Sequence, residues 1–134
     1  MTRVMIFGTY DILHPGHLDF FRQAKQHGDV LIAVVARDQN VVRIKGKQPV
    51  HSEEKRRVRV ETVPDVDVAV LGNSDDPYRI IEEWRPDVLC LGYDQHSDFT
   101  KGLEEELERR HLHPPIFRLQ PFHPEIYKSS KIKN

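Results

Sequence analysis

"RVMIFGTYDILHPGHLDFFRQAKQHGDVLIAVVA" (residues 3–36) is the stretch whose reading decides the fold. Residues 3–8 make a short apolar run, continuous enough to be a strand buried on both faces. Residues 16–28 then change to helical spacing, with Leu18, Phe21 and Ala24 recurring on one stripe. Pro15 suits the first turn of that helix and Gly28 its end. Residues 29–36 are apolar again, a second strand with no polar face. Strand, helix and strand in this order read as a parallel crossover unit.

The alternation continues outward from there. "VDVAVLG" (66–72) and "DVLCLG" (87–92) are two more buried strands, and "IFRL" (116–119) is a candidate fifth. Between the third and fourth lies "DDPYRIIEEWRP" (75–86), a helix with Asp76 as cap, Pro77 in the first position and Arg85 ahead of a terminating proline. Trp84, at helical spacing with Ile80 and Ile81, faces the core. Residues 98–111 form a charged helix with a narrow stripe of Leu103 and Leu107. Segment 52–63 is read as a helix: acidic residues follow Ser52, and a crossover needs one there, although Val58, Val60 and Val63 tolerate a strand. No repeat or low-complexity tract interrupts the chain. The expected fold is α/β, a single doubly wound (Rossmann-like) domain over residues 1–134, with a parallel five-stranded sheet flanked by helices. Ligands of such sheets bind beyond the carboxyl ends of the strands, where strand order reverses. That rule points to the stretch after residue 8.

Composition narrows the function classes. The 134 residues carry 20 basic and 21 acidic side chains, a net charge of −1. Nonspecific nucleic-acid binding needs a basic excess to displace counterions, so no nucleic-acid partner is expected. A single cysteine, Cys90, rules out an intrachain disulfide framework and suits a reducing compartment. There is no apolar run of about 18 residues and no signal peptide ahead of "MTRVMIFG", so the expectation is a cytoplasmic protein without a membrane partner.

"GTYDILHPGH" (8–17) raises the chemical question. Gly8 allows a tight turn after the first strand, and Pro15-Gly16 opens the helix. A helix N-terminus carries unpaired N–H groups and partial positive charge, a seat for phosphate. Gly16 removes a side chain where a ligand must come close. His14 and His17, three apart, point the same way and can donate to one anion. Against this stands a plain reading, in which His14 is a helix cap and His17 a half-buried packing residue. Structural zinc is a further rival, but four ligands at a suitable spacing are not present. Neither a G-x-x-x-x-G-K-[ST] loop nor a G-x-G-x-x-G fingerprint occurs.

This stretch resembles the G-T-F-D-x-x-H-x-G-H signature of the nucleotidyltransferase superfamily that includes glycerol-3-phosphate cytidylyltransferase and archaeal-type FAD synthase. The resemblance covers nearly the whole chain, since "DVLIAVVARDQNV", "KGKQPVHSEEKRR", "PDVLCLGYDQ" and "KSSKIK" follow in the family's order. It implies transfer of a nucleoside monophosphate from a triphosphate to a phosphate-bearing acceptor, with pyrophosphate released. "VARD" and "LGYDQ" look more like the FAD synthases, which implies ATP and FMN as substrates. CTP with glycerol 3-phosphate is the alternative, and a nucleotide-binding regulatory module without turnover is the alternative of another class. The resemblance assigns His14 and His17 to the phosphate chain and the transition state. It assigns the backbone of Gly8, Thr9 and Tyr10 to the same pocket, Asp11 to the loop or the metal, and Ser129 and Ser130 to the nucleotide. It favours Arg56 as a substrate or phosphate contact. Mg²⁺ is expected to be carried mostly by the triphosphate, and a homodimer is the family's usual state.

Two further stretches lie at the expected ligand edge. "RIKGKQP" (43–49) reads as a mobile basic flap with Arg43, Lys45 and Lys47, of which Lys45 is the choice to touch the triphosphate. In "LGYDQ" (91–95), Asp94 and Gln95 are candidates to read a base or an acceptor, and Tyr93 to stack on it. Cys90, inside a buried strand, reads as a small hydrophobe.

Overall fold

A computed structural model of the chain describes residues 1–92, 95 and 98–121, with only the backbone described at 98 and 99. In chain order the elements are β1 (Arg3–Gly8), α1 (Pro15–Lys25), β2 (Val30–Val35), α2 (Asp38–Lys45) and α3 (Glu53–Glu61). Then come β3 (Val68–Leu71), α4 (Arg79–Trp84), β4 (Val88–Leu91), α5 (Asp98–Arg109) and β5 (Ile116–Arg118). The strands form one five-stranded sheet, ordered β3-β2-β1-β4-β5, and every pairing is parallel.

The period-2 alternation of the strands explains the layers. Val4 and Ile6 of β1, Leu31, Ala33 and Val35 of β2, and Val88 and Cys90 of β4 point to one face, where Phe21 and Ala24 of α1 and Val60 of α3 cover them. Met5 and Phe7, Ile32 and Val34, and Leu89 and Leu91 point to the other face, against Ile80 and Ile81 of α4 and Leu103 and Leu107 of α5. Full burial of each valine, leucine, isoleucine, methionine or phenylalanine among them contributes about 1.5–3 kcal/mol. Apolar side chains on both faces of the strands are what made these runs read as unbroken in the sequence.

The chain leaves β1 for β2 and β3 on one side, then crosses back to β4 and β5 on the other. Strand order therefore reverses between β1 and β4. The carboxyl ends of these strands, Gly8 and Leu91, open onto the same edge of the sheet.

Several local expectations change. Leu18 stays 46% exposed, so the buried stripe of α1 rests on Phe21 and Ala24. Gly28 lies past the helix end at Gln26 and serves close packing: a Cβ there would come within 2.7 Å of the Thr2 carbonyl and of Val4. Segment 43–49 is not all loop. Arg43 and Lys45 belong to α2, which stops at Gly46 with φ of 79°, a left-handed cap that suits glycine. Two helices, α2 and α3, fill the crossover from β2 to β3. The helix expected over 75–86 is shorter, because Asp76 accepts from the Tyr78 N–H (3.1 Å) in a turn ahead of it and Tyr78 takes the cap position. Among the described residues no helix is long and apolar enough to cross a membrane.

Candidate active site at the end of β1

The loop that leaves β1 is bent at Tyr10, whose φ is 52°. A left-handed conformation costs an aromatic residue about 1–2 kcal/mol. Tyr10 turns the chain here, and Gly8 makes room for it: a Cβ on Gly8 would sit 2.5 Å from the Tyr10 ring. The ring is buried edge-on against Phe21 (centroids 5.3 Å apart) and His17 (5.8 Å). Burial pushes the phenol well above its ordinary value, and its oxygen has no hydrogen-bond partner among the described groups.

His14 caps α1, its Nδ1 accepting from the Gly16 N–H at 3.1 Å. His17 returns the arrangement, its Nδ1 accepting from the His14 N–H at 3.3 Å. Each Nδ1 thus presents a lone pair to a backbone donor, so in the neutral rings the proton sits on Nε2. The two ring centroids are 4.0 Å apart. Capping and anion binding are therefore compatible: one nitrogen of each ring builds the helix, and the other is a donor by construction. The expectation of unpaired N–H groups at this terminus does not hold. Gly16 bonds to His14, and the N–H groups of His17 (2.9 Å) and Leu18 (3.2 Å) both reach the His14 carbonyl. What this helix end retains is its dipole.

Asp11 accepts from the N–H groups of Val50 (2.7 Å) and His51 (2.8 Å). Partial burial opposes its ionisation. The two backbone donors and the neighbouring His51 and Arg56 outweigh that and hold the carboxyl below its usual range. Of the two roles open to Asp11, the structure displays the pinning of the loop.

Arg56 departs from expectation. It is 0% exposed, and its guanidinium donates to His51 O (3.0 Å), Thr9 O (2.8 Å) and Asp38 Oδ1 (2.6 Å). With no exposed surface and three protein acceptors, this side chain supports the loop from beneath. Gln95 departs similarly. Its amide accepts from the Gly92 N–H (3.0 Å) and donates to Phe7 O (3.0 Å), tying the ends of β4 and β1 together across the crevice where strand order reverses. Arg118 reinforces this tie through the carbonyls of Gly92 (2.7 Å) and Gln95 (3.0 Å). Lys45 lies exposed at the start of the loop whose far end, Val50 and His51, Asp11 holds. Arg43 instead reaches the Ser74 carbonyl at 3.2 Å. Tyr93, Asp94, Ser129 and Ser130 lie outside the described residues.

Sequence reasoning missed Asp38, Glu53 and Arg37. Glu53 accepts from the Asp38 N–H (2.8 Å) and Arg37 Nη1 (3.2 Å), while Arg37 Nε donates to Gly72 O (2.7 Å). Together they fasten the exits of β2 and β3 to the start of α3. One signal was present: Arg56 shares helical spacing with the buried Val60 and Val63, so a charged side chain stood on an apolar stripe. Among the described residues no three metal-ligating side chains converge.

A family model described as Cytidylyltransferase-like matches residues 5–134. A relative named FAD synthase from Aciduliprofundum boonei is 48% identical over 122 residues, covering 91% of this chain and 80% of that protein. Another FAD synthase, from Archaeoglobus fulgidus, is 50% identical and covers 87% and 82%. Among solved structures, the lipopolysaccharide core biosynthesis protein of Thermoplasma volcanium superposes with a TM-score of 0.84 at 35% identity, covering 91% of this chain and 98% of that one. The pantoate-beta-alanine ligase of Francisella tularensis shares the fold alone, with a TM-score of 0.60 at 15% identity over 91% of this chain and 60% of that one. With the signature histidines at the strand-order reversal and a matching family model over nearly its whole length, the chain belongs to the cytidylyltransferase-like family.

Proposed function

We propose that this chain is an FMN adenylyltransferase, making FAD from ATP and FMN. The observation that carries the chemistry is the imidazole pair, whose Nδ1 atoms accept from backbone N–H groups, which leaves Nε2 to carry the proton of each neutral ring. The relatives named FAD synthase support the choice of substrates.

A phosphate oxygen of FMN forms a bond to the α-phosphorus of ATP, and the bond from that phosphorus to the β-bridging oxygen breaks. Pyrophosphate leaves with the electron pair, and no covalent enzyme intermediate is needed. Such a transfer is catalysed mainly by positioning and by neutralising phosphate charge. His14 and His17 donate from Nε2 to phosphate oxygens, and the positive end of α1 adds to their field. Gly8, Thr9, Tyr10 and Gly16 contribute backbone to the pocket, and Asp11 sets the loop. Lys45 reaches the triphosphate from its exposed place at the end of α2. Asp94, Ser129 and Ser130 bind nucleotide, and Tyr93 stacks on the base or the flavin. Magnesium brought by ATP would supply charge neutralisation at the phosphates, held mainly by the triphosphate itself. The working unit is a homodimer in the cytoplasm.

The test is a matrix of ATP and CTP against FMN and glycerol 3-phosphate, following pyrophosphate release. Product with ATP and FMN is the expected result. Product only with CTP and glycerol 3-phosphate replaces the substrates, and nucleotide binding without product in any arm replaces the enzyme with a regulatory module.

A further inference from the structure

The strained turn at Tyr10 is held from both sides. On the residue before it, the Thr9 carbonyl accepts from Arg56 Nη1 at 2.8 Å. On the residue after it, the Asp11 carboxylate takes the N–H groups of Val50 and His51. The two holds meet, because Arg56 Nε also donates to the His51 carbonyl at 3.0 Å. The third arm of the guanidinium reaches Asp38 at 2.6 Å, in the first turn of α2 beyond the end of β2. One buried cation therefore fixes the Tyr10 loop to the 50–51 segment and to the start of α2.

A fully buried arginine is expensive unless each face of the guanidinium finds an acceptor. Here three acceptors on three separate segments fit its planar fork, a pattern that the single ammonium of lysine cannot satisfy. Left-handed residues persist where the surroundings over-determine them, and such places cluster at functional sites. His14 follows Asp11 by three residues, so the position of both rings depends on the loop staying bent.

We propose that Arg56 is a positioning residue, acting on His14 and His17 through the clamp it forms with Asp11 around Tyr10. This rests on the adenylyltransfer reading above. Arg56 touches neither substrate. Misplacing reacting groups by about 1 Å costs on the order of a hundredfold in rate.

The test compares Arg56→Lys, Asp38→Asn and the double variant of the full chain, with kcat and KM for ATP and FMN normalised to folded protein. Each single variant should lower kcat by about ten- to a hundredfold with both KM values nearly unchanged. The double variant should be no worse than the poorer single one, because the two residues act as a unit. A KM for ATP or FMN that rises while kcat holds would mean direct substrate contact. Unchanged kcat with a lowered melting temperature would leave Arg56 a purely structural residue. Either result overturns the proposal, as do additive losses. Should Arg56→Lys fail to fold, Asp38→Asn carries the same expectation, since that side chain is 33% exposed. If the wild-type chain turns over no ATP with FMN, the functional reading falls but the clamp is still read by NMR of the ring nitrogens. Acceptor signatures at Nδ1 of His14 and His17 should weaken in the variants, and unchanged signatures sink the clamp.

Discussion

His14 divides two tasks between two nitrogens, and a substitution can separate them. Asparagine is among the best N-cap residues, and its side-chain oxygen can accept from the Gly16 N–H as Nδ1 does. His14→Asn should keep stability within about 0.5 kcal/mol while losing the Nε2 donor, so kcat should fall by about 10²–10³. His14→Ala should lose the same turnover and a further ~1 kcal/mol. Thermal melts beside steady-state rates check both, and full activity in His14→Asn would show that the ring does not touch phosphate. Tyr10 gives the opposite kind of test. Its buried hydroxyl has no partner among the described residues, so Tyr10→Phe removes a desolvated group without removing a bond seen there. Urea unfolding should show equal stability or a gain of up to about 1 kcal/mol. A loss beyond that would reveal a partner for the hydroxyl. Cys90, 0% exposed with its thiol pushed up to about 12 by burial, should stay silent to a thiol reagent at pH 8 until the chain unfolds.

At the scale of elements, the turn from α1 into β2 is set by a close approach. The backbone at Gly28 passes the Thr2 carbonyl and Val4, the Asp29 and Val30 N–H groups both reach that carbonyl (2.7 and 3.1 Å), and the Asp29 carboxylate accepts from the Thr2 N–H (2.8 Å). Gly28→Ala would push a methyl into backbone that cannot yield, and should destabilise the fold by about 1–3 kcal/mol with the active-site chemistry intact in the folded fraction. Chemical unfolding measures it; a neutral result would mean that β1 begins later than Arg3. The α2 helix is short, and its register is fixed by neighbours. Asn40 donates to the Asn73 carbonyl at 3.1 Å, and Arg43 to that of Ser74 at 3.2 Å. Its own sequence, with two valines and a basic end, reads equally well as the beginning of a loop.

Across the whole molecule, the two helices that cover one face of the sheet, α4 and α5, are tied by charge. Arg110, just beyond α5, binds Asp76 (2.9 Å), Glu82 (2.5 Å) and Glu106 (3.1 Å). Burial works against the Asp76 charge. The Arg110 hydrogen bond, the Tyr78 N–H and the positive charges of Arg110 and Arg79 prevail, and its carboxyl sits below the ordinary 3.8. A depressed native pKa adds stability that is complete above the unfolded value and is lost as pH falls through the native one. Asp76→Asn should thus cost about 1–2 kcal/mol at pH 7, and its gap from the wild type should close below pH 3.8. Urea titrations at several pH values decide this. A gap that persists at the lowest pH would assign the effect to packing.

Much of this protein was determined by local order in the sequence. Apolar runs of strand length, helical stripes such as Leu103 with Leu107, and Ser52 at a helix start (accepting from the Lys55 N–H at 3.3 Å) depend on neighbours a few residues away. Periodicity records such neighbours directly, so the parallel α/β sheet and the place of the histidine pair were legible. The roles of Arg56 and Gln95 were not. Each is fixed by acceptors distant in sequence, Thr9 lying 47 residues from Arg56 and Phe7 88 from Gln95. Tertiary structure alone decided that these two polar side chains, Arg56 buried and Gln95 half-buried, tie distant segments together, because only the folded chain brings their partners within hydrogen-bonding distance.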